Sequence, residues 1–281
     1  MDFDIQPMTA TLGAEIRGID LTAEIDDPTI ASIRQALLDH LVLVFRDQEM
    51  ETEHHIAFAK RFGEIKRPPV ATNHGGPPEV NVIDQDDPRG EGADAWHADN
   101  TYTMQPPMGS LLRVLKLPSV GGDTSFASMY AAYDALSPTI QNLCDQLVAV
   151  HDVTRSLSRA IDRGHSTANL AEVTAAFPPV EHPVVIVHPE TGRRALFVNV
   201  NSTVRIQGMP PAESDMLLRY LFEHVKAQEF QVRVRWDTRS LVFLDNRCTQ
   251  HYAVPDYRER RVLHRVAVEG ERPVGIVKNA S

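Results

Sequence analysis

Two kinds of hydrophobic pattern divide the chain near residue 95. Before it, apolar residues recur at helical spacing in the stretch 26–40, where they are Ile30, Ile33, Leu37 and Leu38. The unbroken apolar run 41–45 predicts a buried strand, and TEHHIAFAKRFG (52–63) predicts a second helix. The N-terminal third is therefore expected to alternate short strands with helices.

From about residue 95 onward, short apolar runs separated by turn residues predict strands, among them SLLRVLKL, SLVFLDN and RVLHRVAVEG. Helical patterns over 128–147 and 210–225 interrupt them. Many strands with a few helices indicate a mainly β fold with flanking helices (α+β), a sandwich or jelly roll. The polar, weakly helical segment 154–178 is either a lid over a site or a plain surface excursion.

Composition narrows the class of protein. The 281 residues are 42% hydrophobic and 23% charged, which is typical of a folded globular protein and too apolar for disorder. No window has the 18 or so apolar residues of a spanning helix, and the acidic N-terminus lacks a secretory core, so we expect a cytoplasmic protein. Cys144 and Cys248 are too few for a disulfide framework.

The formal net charge of −10 disfavours nucleic acid and anionic membranes as partners. An anionic substrate would need a local basic cluster. The densest is YRERRVLHR (257–265), which contains four arginines and could equally be a solvated charged strand.

The triplet His97-Ala98-Asp99 lies in a segment that reads as extended chain. Residues two apart on a strand point the same way, so His97 and Asp99 are expected to converge. A late strand supplies a possible third ligand, His251, just after the apolar run that ends in LDN. Two histidines and one carboxylate suit non-haem Fe(II), and a zinc hydrolase could use similar ligands.

Several longer stretches together resemble one known family. They are LGAEIRGIDL, WHADNTYTMQPP, LPSVGGDTSFASMYAAYDALSP, HPVVIVHPETGRRALFVN and DNRCTQHYAVPDYRERRVLHR, which span nearly the whole chain. The sequence resembles the taurine and phenoxyacetate dioxygenases, a branch of the Fe(II)/2-oxoglutarate oxygenases. The resemblance implies one domain over 1–281 with the double-stranded β-helix fold (jelly roll), and Fe(II), 2-oxoglutarate and O2 as cofactor and cosubstrates.

The same resemblance assigns roles to individual residues. It implies that His97, Asp99 and His251 are the iron ligands and catalytic centre. It implies that Thr124 and Arg261 bind the distal carboxylate of 2-oxoglutarate, while Arg265 lies near the cosubstrate or the acid group of the substrate.

Strand geometry supports the arginine assignments. Arg261 and Arg265 are four residues apart, so on one strand they face the same interior together with Leu263, whereas His264 points away. A guanidinium beside a hydroxyl gives a carboxylate charge-assisted hydrogen bonds.

Departures from the taurine branch concern the substrate. Where that branch has an asparagine and two phenylalanines, this chain has Ala93, Val153 and Ser202. These smaller side chains imply a roomier, less polar pocket around the substrate, beside the cation of Arg265. We therefore expect taurine to be a poor substrate.

The leading hypothesis is a dioxygenase that hydroxylates a small anionic substrate, a carboxylate, sulfonate or sulfate ester, next to a heteroatom. The alternatives are a taurine dioxygenase, a metal-dependent hydrolase on the same three ligands, and a metal-binding protein without turnover. Retention of Thr124, Arg261 and Arg265 argues against the last two, since neither needs a carboxylate clamp. We also expect a homo-oligomer.

Overall fold

The computed structural model describes residues 3–68, 76–86, 94–162, 164 and 166–276. Its α-helices are α1 Asp27–His40, α2 Thr52–Lys60, α3 Met129–Asp134, α4 Pro138–Cys144, α5 Thr154–Asp162, α6 Leu170–Ala176 and α7 Pro211–His224. Its strands are β1 Asp4–Pro7, β2 Ala14–Arg17, β3 Val42–Phe45, β4 Ile65–Lys66, β5 Val80–Gln85, β6 Gly109–Lys116, β7 Thr124–Ser128, β8 Val148–His151, β9 Val180–Pro183, β10 Val185–Val187, β11 Arg194–Leu196, β12 Thr203–Ile206, β13 Gln231–Val234, β14 Leu241–Asp245, β15 Thr249–Ala253 and β16 Arg261–Val268.

Two sheets position the candidate site. The larger has eight strands in the order β1-β2-β3-β14-β6-β16-β4, and β5 also pairs with β16. The smaller has three strands in the order β13-β7-β15. Their described pairs are antiparallel apart from β2 with β3. The predicted mainly β fold with flanking helices is confirmed.

Strand alternation divides the apolar side chains of the large sheet between two cores. Leu112 of β6 and Leu263 of β16 join an inner cluster that Phe126 of the small sheet shares. Leu111 and Val266 point the other way, into an outer cluster that helices α1 and α2 cover. Even-numbered positions of β6 and odd-numbered positions of β16 thus face the small sheet.

Local sequence explains where the first two helices begin and end. Asp26 caps α1, its Oδ1 accepting from the amide of Thr29 at 2.9 Å. Leu41 ends α1 with a left-handed φ of 65°, so the buried strand expected over 41–45 begins one residue later. Helix α2 begins at Thr52 after a capping box formed by Glu51.

The single helix expected over 128–147 is wrong. The chain forms α3 and α4 instead, and Ser137 caps the second with its hydroxyl, 3.4 Å from the amide of Ile140. Pro138 disfavours the helical conformation at Ser137 and offers no amide for a continuing helix, so the break follows from the Ser-Pro pair.

The segment 154–178, expected to be weakly helical, carries the two short helices α5 and α6, neither of which has a buried residue. No helix in the described ranges is long and apolar enough to cross a membrane.

Candidate active site

His97 and His251 are held together by an isolated pair of backbone hydrogen bonds. The amide of His97 donates to the carbonyl of His251 at 3.0 Å, and the reverse bond is 2.8 Å long. Strand β15 carries His251, and the centroids of the two imidazole rings lie 4.2 Å apart. Residues far apart in sequence therefore face one point.

The Asp99 side chain also points to this position, but Asp99 does not lie on a strand as expected. His97 lies in a β-bridge, but Asp99 lies in the turn that follows rather than on the same strand. Asn246 holds that turn: its Oδ1 accepts from the Asp99 amide at 2.7 Å, and its Nδ2 donates to the Asp99 carbonyl at 3.1 Å. The two side chains converge as predicted, but strand alternation is the wrong reason.

The Asp99 carboxylate is buried and ionised. Its Oδ2 accepts from the hydroxyl of Ser110 at 2.8 Å, and its Oδ1 accepts from Arg265 Nη1 at 2.5 Å. Burial alone would raise the pKa of Asp99, but the Arg265 guanidinium, together with the hydrogen bond from Ser110, outweighs it and holds the pKa below its ordinary value. Asp99 can therefore act as an anionic ligand at neutral pH.

Both imidazoles face this carboxylate through Nε2. Nδ1 of His97 lies 2.7 Å from the carbonyl of Ala95, which can only accept, so Nδ1 carries the proton and Nε2 does not. Nε2 of His97 and Nε2 of His251 each lie 3.9 Å from Asp99 Oδ1. Burial lowers the pKa of both histidines, that of His251 to about 3, so both are neutral at pH 7.

These three side chains fit a divalent metal ion. One ligand atom from each of His97, Asp99 and His251 lies within 4.8 Å of the others. Two neutral imidazoles and one carboxylate, with further coordination positions left open, form the ligand set typical of non-haem Fe(II) oxygenases. The donor set therefore suits Fe(II).

A second buried cluster, His188, Asp245 and Cys248, also brings three ligand types together. Here the Asp245 carboxylate already accepts two hydrogen bonds from Arg247, at 2.9 Å from Nε and 2.6 Å from Nη2, and lies 3.1 Å from His188 Nε2. Burial raises the pKa of the Cys248 thiol. This cluster is a buried ion-pair network rather than a metal site.

Arg261 lies deep inside the protein and forms no ion pair with a carboxylate of the described residues. The side chain is 2% exposed, and its Nε has no hydrogen-bond partner among the described residues. Its Nη2 donates to the hydroxyl of Thr124 at 3.2 Å, and the guanidinium lies 5.8 Å from the ring of Trp236 and 5.9 Å from that of Tyr257. The Asp123 carboxylate and Tyr257 favour its charged form, but no carboxylate in the described ranges lies within salt-bridge distance of it. Burial lowers its pKa, yet an arginine remains charged, so an anion from outside would be favoured here.

The position of Thr124 relates this cation to the three possible ligands. Strands β7 and β15 pair Phe126 with His251 and Thr124 with Ala253. Thr124 is two residues along β7 from Phe126, the residue that pairs with His251, which corresponds to a distance of about 7 Å along the strand. A five-carbon dicarboxylate could span the two levels, with one end at His251 and the other at Thr124.

The substrate-pocket residues inferred from the sequence lie around the loop that follows Asp99. Val153 and Ser202 are both buried. The backbone amide of Asp152, the residue before Val153, donates to the Ser202 carbonyl at 2.8 Å. The adjoining His151 and Asn199 both bond to the hydroxyl of Thr101, at 3.0 and 2.8 Å. Ala93 lies outside the described residues.

An open cleft of about 720 Å³ borders the same loop. Its lining includes Tyr102, the rim cations Lys66 and Arg67, and Phe177 from the segment 154–178. The rings of Tyr102 and Phe177 pack edge to face, with centroids 5.7 Å apart. Burial raises the pKa of Tyr102 to about 12. Tyr102 follows Asp99 by three residues in the chain, so the cleft adjoins the segment that carries two of the possible metal ligands.

Three side chains that hold the site were not assigned a role from the sequence. Ser110 bonds to the Asp99 carboxylate, Asn246 holds the Asp99 backbone, and Trp236 donates to Thr124 at 3.0 Å. Asn246 belongs to the DNR motif, and Ser110 is a polar residue inside an apolar strand. Both are therefore weakly recognisable in the sequence as candidate site residues. The contact of Trp236 depends on a pairing across more than a hundred residues, which no local pattern shows.

Comparison with known proteins agrees with this geometry. Residues 4–267 match the model of the family described as "Taurine catabolism dioxygenase TauD, TfdA family". The alpha-ketoglutarate-dependent sulfate ester dioxygenase of Pseudomonas putida is 38% identical over 288 residues, covering 98% of this chain and 92% of the relative. The (S)-phenoxypropionate/alpha-ketoglutarate-dioxygenase of Sphingobium herbicidovorans is 33% identical over 279 residues, covering 96% of both.

Solved structures give the same result. The crystal structure of a taurine dioxygenase from Burkholderia xenovorans superimposes with a TM-score of 0.84 at 37% identity, covering 98% of this chain and 92% of that one. The family match extends over most of the chain, including all three possible metal ligands. The chain therefore belongs to the TauD/TfdA family of taurine catabolism dioxygenases.

Proposed function

We propose that this protein is a dioxygenase dependent on Fe(II) and 2-oxoglutarate, which hydroxylates a small anionic organic substrate next to a heteroatom and releases succinate and CO2. The observation that carries the proposal is the pairing of two sites: a cluster of two histidines and one carboxylate, and the buried cation Arg261, which donates to Thr124 two residues along the small sheet from the level of His251. Relatives with several different anionic substrates share the dependence on 2-oxoglutarate, named alpha-ketoglutarate in their descriptions.

The roles of the residues follow from their contacts. His97, Asp99 and His251 would hold the metal, and Thr124 with Arg261 would bind the distal carboxylate of 2-oxoglutarate. When bound, Fe(II) with 2-oxoglutarate supplies the activation of O2, one oxygen atom passing to succinate and the other to the substrate. A hydrolase on the same ligands would have no use for the buried clamp.

Arg265 is the residue we assign to the acid group of the substrate. One arm of its guanidinium donates to Asp99, while its buried Nε has no hydrogen-bond partner among the described residues. It therefore has donor capacity left for an oxyanion that approaches beside the metal ligands.

The substrate class is a larger acid with an apolar body. Val153 and Ser202 stand where the taurine branch has phenylalanines, which leaves a larger pocket. Ala93 stands where that branch has an asparagine, so a hydrogen-bonding partner of a small polar substrate is lost and discrimination in its favour falls strongly. An alkyl sulfate ester or an aryloxy carboxylate would extend from Arg265 into the cleft lined by Tyr102. Hydroxylation of the carbon beside the heteroatom would give a product that splits spontaneously, and a sulfate ester would yield an aldehyde and sulfate.

Succinate formation measured across a panel of acids tests this substrate class. We expect an alkyl sulfate ester or an aryloxy acid to stimulate succinate release well above the rate without substrate, and taurine to do so poorly. Coupled turnover of taurine with release of sulfite, at the efficiency of the larger acids, would overturn the assignment and favour the taurine alternative.

The segment 154–178 would close over the substrate, with Phe177 as its contact. Replacing Phe177 with alanine removes the edge-to-face contact with Tyr102 and should raise the Michaelis constant for the substrate about three- to tenfold. Leu170 is an exposed residue of the same segment, so Leu170→Ala serves as the matched control. Amide hydrogen exchange over 166–178 should slow when substrate binds. Equal Michaelis constants for the two variants, or unchanged exchange, would contradict the assignment of a lid.

The winding of the chain supports a jelly roll. From β6 onward, β6, β14 and β16 lie in the large sheet while β7, β13 and β15 lie in the small one, and the inner cluster fills the space between them. We infer that the two sheets form a double-stranded β-helix within a single domain over 1–281. A cytoplasmic location and a homo-oligomeric state are further parts of the proposal.

A further inference from the structure

The indole of Trp236 lies against the clamp that we assign to 2-oxoglutarate. Trp236 follows β13, whose last residue Val234 pairs with Thr124 of β7. The indole is 6% exposed, and its Nε1 donates to the hydroxyl oxygen of Thr124 at 3.0 Å. The guanidinium of Arg261 lies 5.8 Å from the centroid of its ring. One side chain thus contacts both members of the clamp.

The hydrogen bonds of Thr124 constrain where its proton can go. A hydroxyl has two acceptor lone pairs and one donor hydrogen. In the described part of the chain, Thr124 Oγ1 makes two hydrogen bonds and accepts in both, from Trp236 Nε1 at 3.0 Å and from Arg261 Nη2 at 3.2 Å. Because both lone pairs are engaged, the hydroxyl hydrogen must point away from these two donors and remains available to an incoming acceptor.

The chemistry of the indole suits this task. Indole N–H is a donor only, so it can never compete with a carboxylate for the hydrogen of Thr124. Without Trp236 one lone pair would be free, and the hydroxyl could rotate among several orientations. The flat ring beside Arg261 also favours one orientation of the guanidinium through a cation–π contact.

We propose that Trp236 is a positioning residue that selects 2-oxo acids bearing a second carboxylate, by fixing the hydroxyl of Thr124 as a donor toward that carboxylate. This inference rests on the proposed function, since it requires that Thr124 and Arg261 bind 2-oxoglutarate. Trp236 itself does not contact the cosubstrate; it acts through Thr124 and Arg261.

A comparison of two ligands isolates the effect. Calorimetric binding to the Mn(II)-loaded protein in the absence of O2 is measured for 2-oxoglutarate and for 2-oxopentanoate, which has a methyl group in place of the distal carboxylate. Trp236→Phe keeps a buried ring and removes the N–H. It should weaken 2-oxoglutarate binding about five- to tenfold, the range for one net hydrogen bond, and leave 2-oxopentanoate binding unchanged. In steady state the Michaelis constant for 2-oxoglutarate should rise by the same factor, with kcat at saturation altered less than about twofold.

A double-mutant cycle tests whether Trp236 acts through Thr124. Thr124→Val removes the hydroxyl with little change in volume, so adding Trp236→Phe to it should weaken 2-oxoglutarate binding by less than the product of the two single effects. Additive effects, or equal weakening of both ligands by Trp236→Phe, would show that the indole only packs the core and would overturn the inference.

Arg261→Ala separates this inference from the proposed function. If Arg261→Ala loses 2-oxoglutarate while Trp236→Phe retains it fully, the positioning role is wrong and the clamp stands. If Arg261→Ala also binds 2-oxoglutarate normally, the clamp itself is wrong and the proposed function loses its support.

Discussion

Asp99→Ala is expected to abolish Fe(II)-dependent turnover while the protein remains folded. The substitution removes the anionic member of the three possible ligands, and two neutral imidazoles alone bind a divalent ion weakly. The protein should stay folded because Asp99 contributes little core volume and Arg265, with its side chain 15% exposed, can turn toward water. Metal affinity is measured with Mn(II), turnover by succinate release, and folding by thermal unfolding.

Ser110→Ala provides a graded control. It removes the 2.8 Å hydrogen bond to Asp99 Oδ2 but keeps the ligand, so metal affinity should fall about tenfold, at the lower end of the range for partners of metal ligands. Full turnover by Asp99→Ala in a metal-defined preparation would refute the assignment of the three ligands.

Arg261→Ala is expected to weaken 2-oxoglutarate binding by at least about 2 kcal/mol, roughly thirtyfold in Kd, because it removes the buried partner of a charged group. Arg260 offers a matched control one residue away. It is exposed and forms two hydrogen bonds to Asp84, at 2.8 and 2.6 Å, so Arg260→Ala should leave 2-oxoglutarate binding unchanged. If Arg260→Ala had the larger effect, the assignment of the clamp would be wrong.

The β16 assignments show what strand periodicity can predict. Leu263 joins the inner cluster, Arg265 reaches Asp99, and Arg261 reaches Thr124, as expected for one strand face. His264 lies opposite Arg113 on the outer face, where it was expected to point. These predictions succeed because a period of two depends only on local geometry.

Long-range contacts account for what the sequence could not show. His97 and Asp99 converge because Asn246, 147 residues from Asp99, holds its turn, so the strand argument gave the right convergence for the wrong reason. The link between Trp236 and Thr124 likewise joins residues 112 apart. Neither contact leaves a periodic pattern in the chain.

Local chemistry explains the helical differences. The predicted helix over 128–147 ignored the Ser137-Pro138 pair, which both ends one helix and caps the next. The helices of the polar segment 154–178 bury no residues, so they have no apolar face. The spacing of apolar residues therefore indicated less helix in this segment than the structure has. Its contact with the rest of the site comes from Phe177 packing on Tyr102, a pairing that only the folded chain shows.

The central claim is that this chain oxidises its substrate rather than hydrolysing it. The most direct test runs the reaction with a sulfate ester or aryloxy acid under ¹⁸O2 in ordinary water, and analyses succinate by mass spectrometry. We predict one ¹⁸O atom in each succinate, formed in step with substrate cleavage and absent from Asp99→Ala. Cleavage of the substrate without labelled succinate would contradict the claim and identify a metal-dependent hydrolase on the same three ligands.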